Sequence, residues 1–224
     1  MAAPLSPRLG GAVAVPERVI ADAETGVFRS RFVLAGLALS SAVLAGSWVY
    51  GALASGISED GLLLFESLVA LINVATGIAW VWWKVNAYRL ASDLSAWVPK
   101  RSTAWVFWGY VIPIANFYIP YQMMQEIVDA SEGDGLDLSF SSTQTELGRL
   151  VVLWWTVYLV YTIGGGIVGQ LPVQESGEYV AAGVVLAGVT LVAAALAAIV
   201  VVRLTRLQRE RALELIEAQS GRTL

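Results

Sequence analysis

Residues 179–202 read YVAAGVVLAGVTLVAAALAAIVVV, a run of 24 residues without a charged side chain. A helix of that length is about 36 Å long at 1.5 Å per residue, enough to cross the roughly 30 Å hydrocarbon layer of a membrane. Three further apolar runs of similar length occur at residues 32–54, 62–83 and 150–171. The chain is therefore predicted to be an all-α integral membrane protein with four transmembrane helices.

The composition of the whole chain agrees with lipid as its solvent. Of its 224 residues, 57% are hydrophobic and 14% are charged, whereas soluble domains are about 45–50% apolar. The chain has no Cys and no His, which excludes thiolate and imidazole metal ligands, disulfides, a Cys nucleophile and the His base of a serine triad. The net charge is only -4 and the basic residues are dispersed, which disfavours nucleic-acid binding. We expect no enzyme activity, no cofactor, no metal and no nucleic-acid partner.

Residues 104–124 form a fifth apolar segment, but this one contains Pro113, Asn116 and Pro120. The residues before Pro113 make only about 14 Å of helix, half of what crossing needs. Pro113 removes an amide donor and clashes with the carbonyl four residues back, which favours a break there. We predict one proline-broken segment, residues 104–130, that is re-entrant or interfacial and returns to the side from which it started. The alternative is a single kinked span, which gives five full spans.

The positions of Lys and Arg decide between four and five spans, because these residues are retained on the cytoplasmic side of membrane proteins. Four spans place all fourteen on one side, whereas five spans divide them eight against six. We therefore predict four spans with both termini in the cytoplasm. The expected parts are a flexible cytoplasmic N-terminal tail (residues 1–31), a helical membrane domain (32–202) and a cytoplasmic Arg-rich helical tail (203–224).

Two polar residues, Glu66 and Asn73, lie inside the predicted span at residues 62–83. Their spacing of seven puts them on one helix face, which we expect to point at protein. An intramembrane carboxylate is a candidate cation or proton site. The alternative is that Glu66 reaches the membrane interface while Asn73 bonds a neighbouring helix. Asn116 is the third candidate, because it can supply hydrogen bonds to backbone groups freed at the predicted break.

Two stretches resemble a known family: WVWWKVNAYR at residues 80–89 and WVFWGYVIPIANFYIPYQMMQEI at residues 105–127. An aromatic and basic helix end, followed by Trp, Pro-Ile-Ala-Asn, Pro and Glu-Ile, resembles the domain of unknown function 4328 family of bacterial membrane proteins. The positions that carry the resemblance are Trp80, Lys84, Asn86, Arg89, Trp108, Pro113, Asn116, Pro120 and Glu126. The resemblance implies the bacterial inner membrane as the location and supplies no activity.

The function expected first is that of a non-enzymatic membrane protein that binds a partner or lipid. The face expected to bind is cytoplasmic and consists of residues 84–131 and the C-terminal helix, where the polar residues concentrate. Membrane lipid is the expected partner, with another membrane protein or a second copy of the chain as further candidates. The alternative is a small transporter or channel that uses the Glu66 and Asn73 face together with the broken segment from Pro113 to Pro120.

Overall fold

A computed structural model of the chain describes residues 15–53, 59–95, 99–132, 145–168, 170 and 177–220. All the regular secondary structure of the described residues is helical. Its elements are α1 (Val15–Leu53), α2 (Glu59–Leu94), α3 (Trp105–Val111), α4 (Pro113–Asn116), α5 (Ile119–Glu132), α6 (Glu146–Val168) and α7 (Gly177–Ser220). Four of these helices, α1, α2, α6 and α7, are long and apolar enough to cross a membrane. This confirms the predicted all-α fold class with four candidate membrane helices.

Three of the long helices extend beyond the predicted spans at the same end of the bundle. We call this end the base; it consists of residues 15–31 of α1, 84–94 of α2 and 203–220 of α7, together with α5. Side chains join these parts directly. Arg209 Nε lies 2.7 Å from Glu24 Oε1, and a guanidinium nitrogen of Arg211 donates to the Glu132 carbonyl at 2.9 Å.

The prediction of a flexible tail over residues 1–31 is wrong for residues 15–31, which are the first turns of α1. Val19 and Ala23, four residues apart on one helix face, are buried in a small cluster with Leu90 of α2 and Ala212 of α7. Burial of this face stabilises the helix, since amphipathic packing supplies most helical stability. Residues 1–14 lie outside the described part of the chain.

The predicted break occurs at the expected place. Ile112 has extended backbone, with φ -81° and ψ 117°, and α4 begins at Pro113. A residue that precedes proline is disfavoured in the helical region, whereas the first helical position needs no amide donor. Gly109 of α3 then packs on α5 so closely that an added Cβ would lie 3.0 Å from a methyl carbon of Ile119. The chain therefore turns back on itself between α3 and α5.

This reversal returns the chain to the base. Arg101, which precedes α3, lies 2.7 Å from Glu126 of α5, so the segment between them ends where it began. Five full spans are therefore wrong for this fold. The position of the broken segment relative to the membrane stays a prediction.

The most tightly packed part of the molecule is at the base and beside it. Trp83, Tyr88, Met124, Val201 and Leu204 are each no more than 1% exposed. Further from the base, α2 is exposed along one side, and Leu64 has 73% of its surface free. Close packing thus fixes the helices at the base, whereas one side of α2 further from the base is left exposed.

Candidate functional site

An open cavity of about 1180 Å³ lies between α2 and α6. α1 and α7 contribute its other walls, and Phe107 and Tyr110 of α3 lie at its base end. In the described ranges no Cα atom of α2 lies within 8 Å of a Cα atom of α6, so these two helices leave a gap. Their side chains approach each other at the base end, where the rings of Trp80 and Trp154 are 5.2 Å apart.

The floor of the cavity is a group of polar contacts around Tyr110. Trp80 Nε1 donates to the Tyr110 hydroxyl oxygen at 2.8 Å, and Lys84 Nζ donates to the same oxygen at 3.3 Å. Lys84 Nζ also donates to the Pro120 carbonyl at 2.8 Å and lies 5.2 Å from the centre of the Tyr110 ring. The structure therefore brings together Trp80, Lys84 and Pro120, three of the positions predicted from the resemblance.

Lys84 is fully buried, and in the described part of the chain no carboxylate oxygen lies within 4.0 Å of its nitrogen. Burying an ammonium group is costly unless hydrogen bonds and nearby electron-rich groups stabilise it. The carbonyl, the hydroxyl and the face of an aromatic ring supply that stabilisation here. Because its hydrogen-bond partners belong to α3 and α5, Lys84 also fixes the broken segment to α2.

A second polar group joins the loop before α3 to α5. Arg101 lies 2.7 Å from Glu126 and also donates to Gln122, while the Tyr88 hydroxyl donates to the Arg101 carbonyl at 2.9 Å. Burial raises the pKa of the Glu126 carboxyl, and Arg101 opposes that rise. The second carboxylate oxygen of Glu126 is buried and has no hydrogen-bond partner among the described residues. This group is positioned to hold the reversal closed.

The other residues that carry the family resemblance lie outside the cavity floor. Asn86 Nδ2 donates to the Asp22 carbonyl at 2.9 Å and so ties α2 to the first turns of α1. The side chains of Arg89, Trp108 and Pro113 are exposed. The backbone amide of Asn116 donates to the Ile112 carbonyl at 2.9 Å, but its side-chain oxygen is buried with no hydrogen-bond partner in the described ranges. The expectation that this oxygen would accept a backbone hydrogen bond at the break is therefore wrong here.

The structure separates Glu66 from Asn73. Asn73 lines the cavity, accepts a hydrogen bond from Ser40 of α1 at 2.7 Å and donates to the Val69 carbonyl. This is the predicted alternative in which Asn73 bonds a neighbouring helix. Glu66 is exposed, so the expectation that it would point at protein is wrong. It shares a helix face with Asn73, but it lies about 10 Å further from the base, where most of the surrounding α2 residues are exposed as well.

Sequence reasoning missed the residues at the centre of both polar groups, Tyr110 and Arg101. A usable signal existed for Tyr110, since it lies within the stretch that carries the resemblance and a buried tyrosine hydroxyl generally requires partners. No comparable signal marks Arg101, whose partner is 25 positions away in the sequence.

Comparison with known protein families gives one match. A family model described as "Domain of unknown function (DUF4328)" matches residues 52–206, more than half of the chain. The matched range contains all of α2 to α6 and most of α7, and with them the cavity floor and the reversal. Comparisons with curated proteins and with solved structures found no match. The chain therefore belongs to the DUF4328 family of domains of unknown function.

Proposed function

We propose that this protein is a non-enzymatic protein of the bacterial cytoplasmic membrane that binds a lipid acyl chain in the cavity between α2 and α6. The observation that carries the proposal is the open, largely apolar cavity between two helices long enough to cross a membrane. Binding sites for small molecules usually enclose about 300–1,000 Å³ and are lined mainly by apolar and aromatic side chains. A gap between membrane-spanning helices is reached most directly from lipid.

The polar side chains in the cavity wall support an apolar occupant. Ser40 donates to Asn73, and the hydroxyls of Thr76, Thr162 and Thr190 donate to carbonyls one turn earlier in their own helices. Because these four donors already have partners, a hydrocarbon chain beside them leaves none of the four unpaired. The wall therefore accepts an acyl chain without a large desolvation penalty.

The distribution of Lys and Arg supports a cytoplasmic location for the base of the bundle. Twelve of the fourteen Lys and Arg residues lie in the described ranges. All twelve belong to the base, to the loop between α2 and α3 or to the adjoining ends of α1, α2, α6 and α7. Retention of these residues on the cytoplasmic side favours a cytoplasmic location for both termini. The exposed apolar side chains of Ile114, Phe117 and Tyr118 favour insertion of the broken segment into the cytoplasmic leaflet.

Cysteine labelling tests this orientation in a chain that has no Cys. Ser102 precedes the broken segment, Arg149 follows it, and both are exposed. Ser102→Cys and Arg149→Cys should react with an impermeant thiol reagent only after the cells are opened. Labelling of Arg149→Cys from outside intact cells would contradict the orientation and the return of the segment.

The transporter alternative needs a polar path through the membrane. Between Asn73 and the buried Lys84, the cavity face of α2 is formed mainly by aliphatic and tryptophan side chains, and Glu66 does not reach the cavity wall. This arrangement favours binding of hydrocarbon over passage of ions. Self-association and binding of another membrane protein stay predictions.

Lipid binding can be measured by native mass spectrometry of the detergent-purified protein titrated with phosphatidylcholine. Gly77 and Gly165 line the cavity, and a Cβ at either position would meet no atom within 4 Å. Gly77→Leu and Gly165→Leu should therefore fill the cavity without a clash and reduce the lipid bound. Gly188 has the same free space outside the cavity, so Gly188→Leu is the matched control. Equal lipid binding by all three variants and the unsubstituted protein would reject the proposal.

A further inference from the structure

The Tyr110 hydroxyl at the cavity floor has a proton without an acceptor. Its oxygen accepts one hydrogen bond from Trp80 Nε1 and one from Lys84 Nζ, which uses both of its lone pairs. While Lys84 carries its charge, neither its ammonium group nor the indole N–H of Trp80 can accept a hydrogen bond in return. No other described residue receives the Tyr110 proton.

An unpaired donor at this position is unfavourable unless a bound molecule supplies the acceptor. Tyr110 lines the cavity, and a buried polar group that lacks a partner loses the hydrogen bond it makes in water. The nearby Lys84 ammonium favours an electron-rich oxygen at this point, because donors close to a positive charge form stronger hydrogen bonds in a low-dielectric site. The floor therefore requires one acceptor oxygen from the occupant of the cavity.

The dimensions of the cavity restrict which molecules can supply that oxygen. Along α6 the cavity is lined from Trp154 to Gly166, a length of about 18 Å at 1.5 Å per residue. One leaflet contributes about half of the roughly 30 Å hydrocarbon layer. The occupant should therefore have its acceptor oxygen at the base end and a chain about one leaflet long. An acyl ester lipid has this arrangement when its ester groups lie at the membrane surface and its chains extend towards the bilayer centre.

We infer that the occupant is a diacyl phospholipid of the leaflet next to the base, with an ester carbonyl oxygen accepting the Tyr110 hydroxyl proton and the attached chain filling the cavity. The inference rests on the lipid-binding function proposed above and adds the group that is recognised. In this arrangement the hydrogen bonds from Trp80 and Lys84 hold the Tyr110 hydroxyl oxygen in place, so that its proton is directed to the bound lipid. Tyr110 is then a binding residue in addition to a link between α2 and α3.

Native mass spectrometry with two matched probes tests this assignment on the full chain. The probes are a diacyl phosphatidylcholine and the dialkyl ether analogue with the same chains and headgroup, which lacks only the carbonyl oxygens. The unsubstituted protein should bind the diacyl lipid roughly three- to tenfold more tightly, as expected for one hydrogen bond to an otherwise unpaired donor. In Tyr110→Phe this preference should disappear, whereas Tyr118→Phe, which removes an exposed hydroxyl of the same segment, should retain it.

The outcomes separate the two proposals. Equal binding of both probes by the unsubstituted protein would overturn the carbonyl assignment and leave lipid binding intact, and this comparison needs no variant to fold. Binding of neither probe would overturn the proposed function itself. A preference that persists in Tyr110→Phe would reject Tyr110 as the donor, and Tyr110-dependent binding of palmitate in place of the diacyl lipid would reject a phospholipid as the occupant.

Discussion

At the base, α2 packs against α1, α5 and α7, and its Trp83 and Tyr88 are each only 1% exposed. In the other half of the same helix, beside the cavity, Leu64 and Leu71 are 73% and 65% exposed. We call the part of the bundle that surrounds the cavity the cavity half. In lipid, apolar side chains gain little from packing on one another, because the solvent is equally apolar. The base therefore provides the packing that fixes the bundle, and the cavity half is free to accommodate lipid.

Polar contacts differ between the two halves in the same way. Several of those at the base join different helices, as Gln208 of α7 does when it donates to the Ala87 carbonyl of α2 and to Ser131 of α5. In the cavity half several hydroxyls bond within their own helix, although Ser40 of α1 also donates to Asn73 of α2. The structure of the base thus depends on side chains that are far apart in the sequence.

The largest effect should come from truncation of a tryptophan at the base. Trp83 is 1% exposed and donates to Thr205, so Trp83→Ala should lower the free energy of unfolding by about 3–5 kcal/mol. Trp108, which is half exposed, serves as the matched control, and Trp108→Ala should change that free energy by less than about 1 kcal/mol. Denaturant unfolding in detergent measures both variants. Equal losses would mean that the base is no more tightly packed than the exposed segment.

A smaller effect is expected at the reversal. Arg101→Gln leaves the Glu126 carboxylate largely buried without its cation, which should lower the free energy of unfolding by about 1–3 kcal/mol at neutral pH. Glu126→Gln should cost less, since it removes the charge whose burial is unfavourable. An equal or larger loss in Glu126→Gln would contradict this view of the pair.

The same pair predicts a dependence on pH. Burial raises the pKa of Glu126 above its usual value of 4.5, so the folded protein binds this proton more tightly than the unfolded chain does. The stabilisation that protonated Glu126 contributes is present below pH 4.5 and is lost as the pH rises through the raised pKa. In Glu126→Gln the free energy of unfolding should no longer fall over this pH range. In Arg101→Gln it should fall further than in the unsubstituted protein. An unchanged pH profile in Glu126→Gln would reject the assignment.

The smallest effect is expected inside the cavity half. Asn73→Leu removes the acceptor of the Ser40 hydroxyl and should lower the free energy of unfolding by about 0.6 kcal/mol, the average for hydrogen bonds between membrane helices. Ser67→Ala removes an exposed hydroxyl that bonds only within α2 and is the control. If Asn73→Leu were no less stable than Ser67→Ala, the contact would not contribute to holding α1 against α2.

Local signals explain which parts of this fold were predictable. The long apolar runs identified the four membrane helices, and Pro113 identified the break, because helix length and proline geometry act within a few residues. The helix over residues 15–31 was not predictable in this way, since the burial of Val19 and Ala23 depends on Leu90 and Ala212.

The candidate site was predictable only in part, for a related physical reason. Lys84 and Pro120 were singled out through the family resemblance, but the hydrogen bonds of Lys84 to Tyr110 and to Pro120 depend on the reversal of the chain between α3 and α5. The exposure of Glu66, which shares a helix face with Asn73, depends on how far along α2 the neighbouring helices cover that face. Periodicity places residues on a common face, but it does not say which neighbour that face meets.

The claim that an open cavity separates α2 from α6 is tested most directly by disulfide formation between paired cysteines in native membranes. Gly36→Cys with Thr76→Cys should crosslink readily, because an ideal Cβ at Gly36 lies 3.3 Å from the Thr76 Cβ, close to disulfide geometry. Gly77→Cys with Gly165→Cys should not crosslink, because the Cα atoms of α2 and α6 are more than 8 Å apart, beyond the reach of a disulfide. Crosslinking of both pairs at the same rate would show that the two helices close on each other and would contradict the cavity.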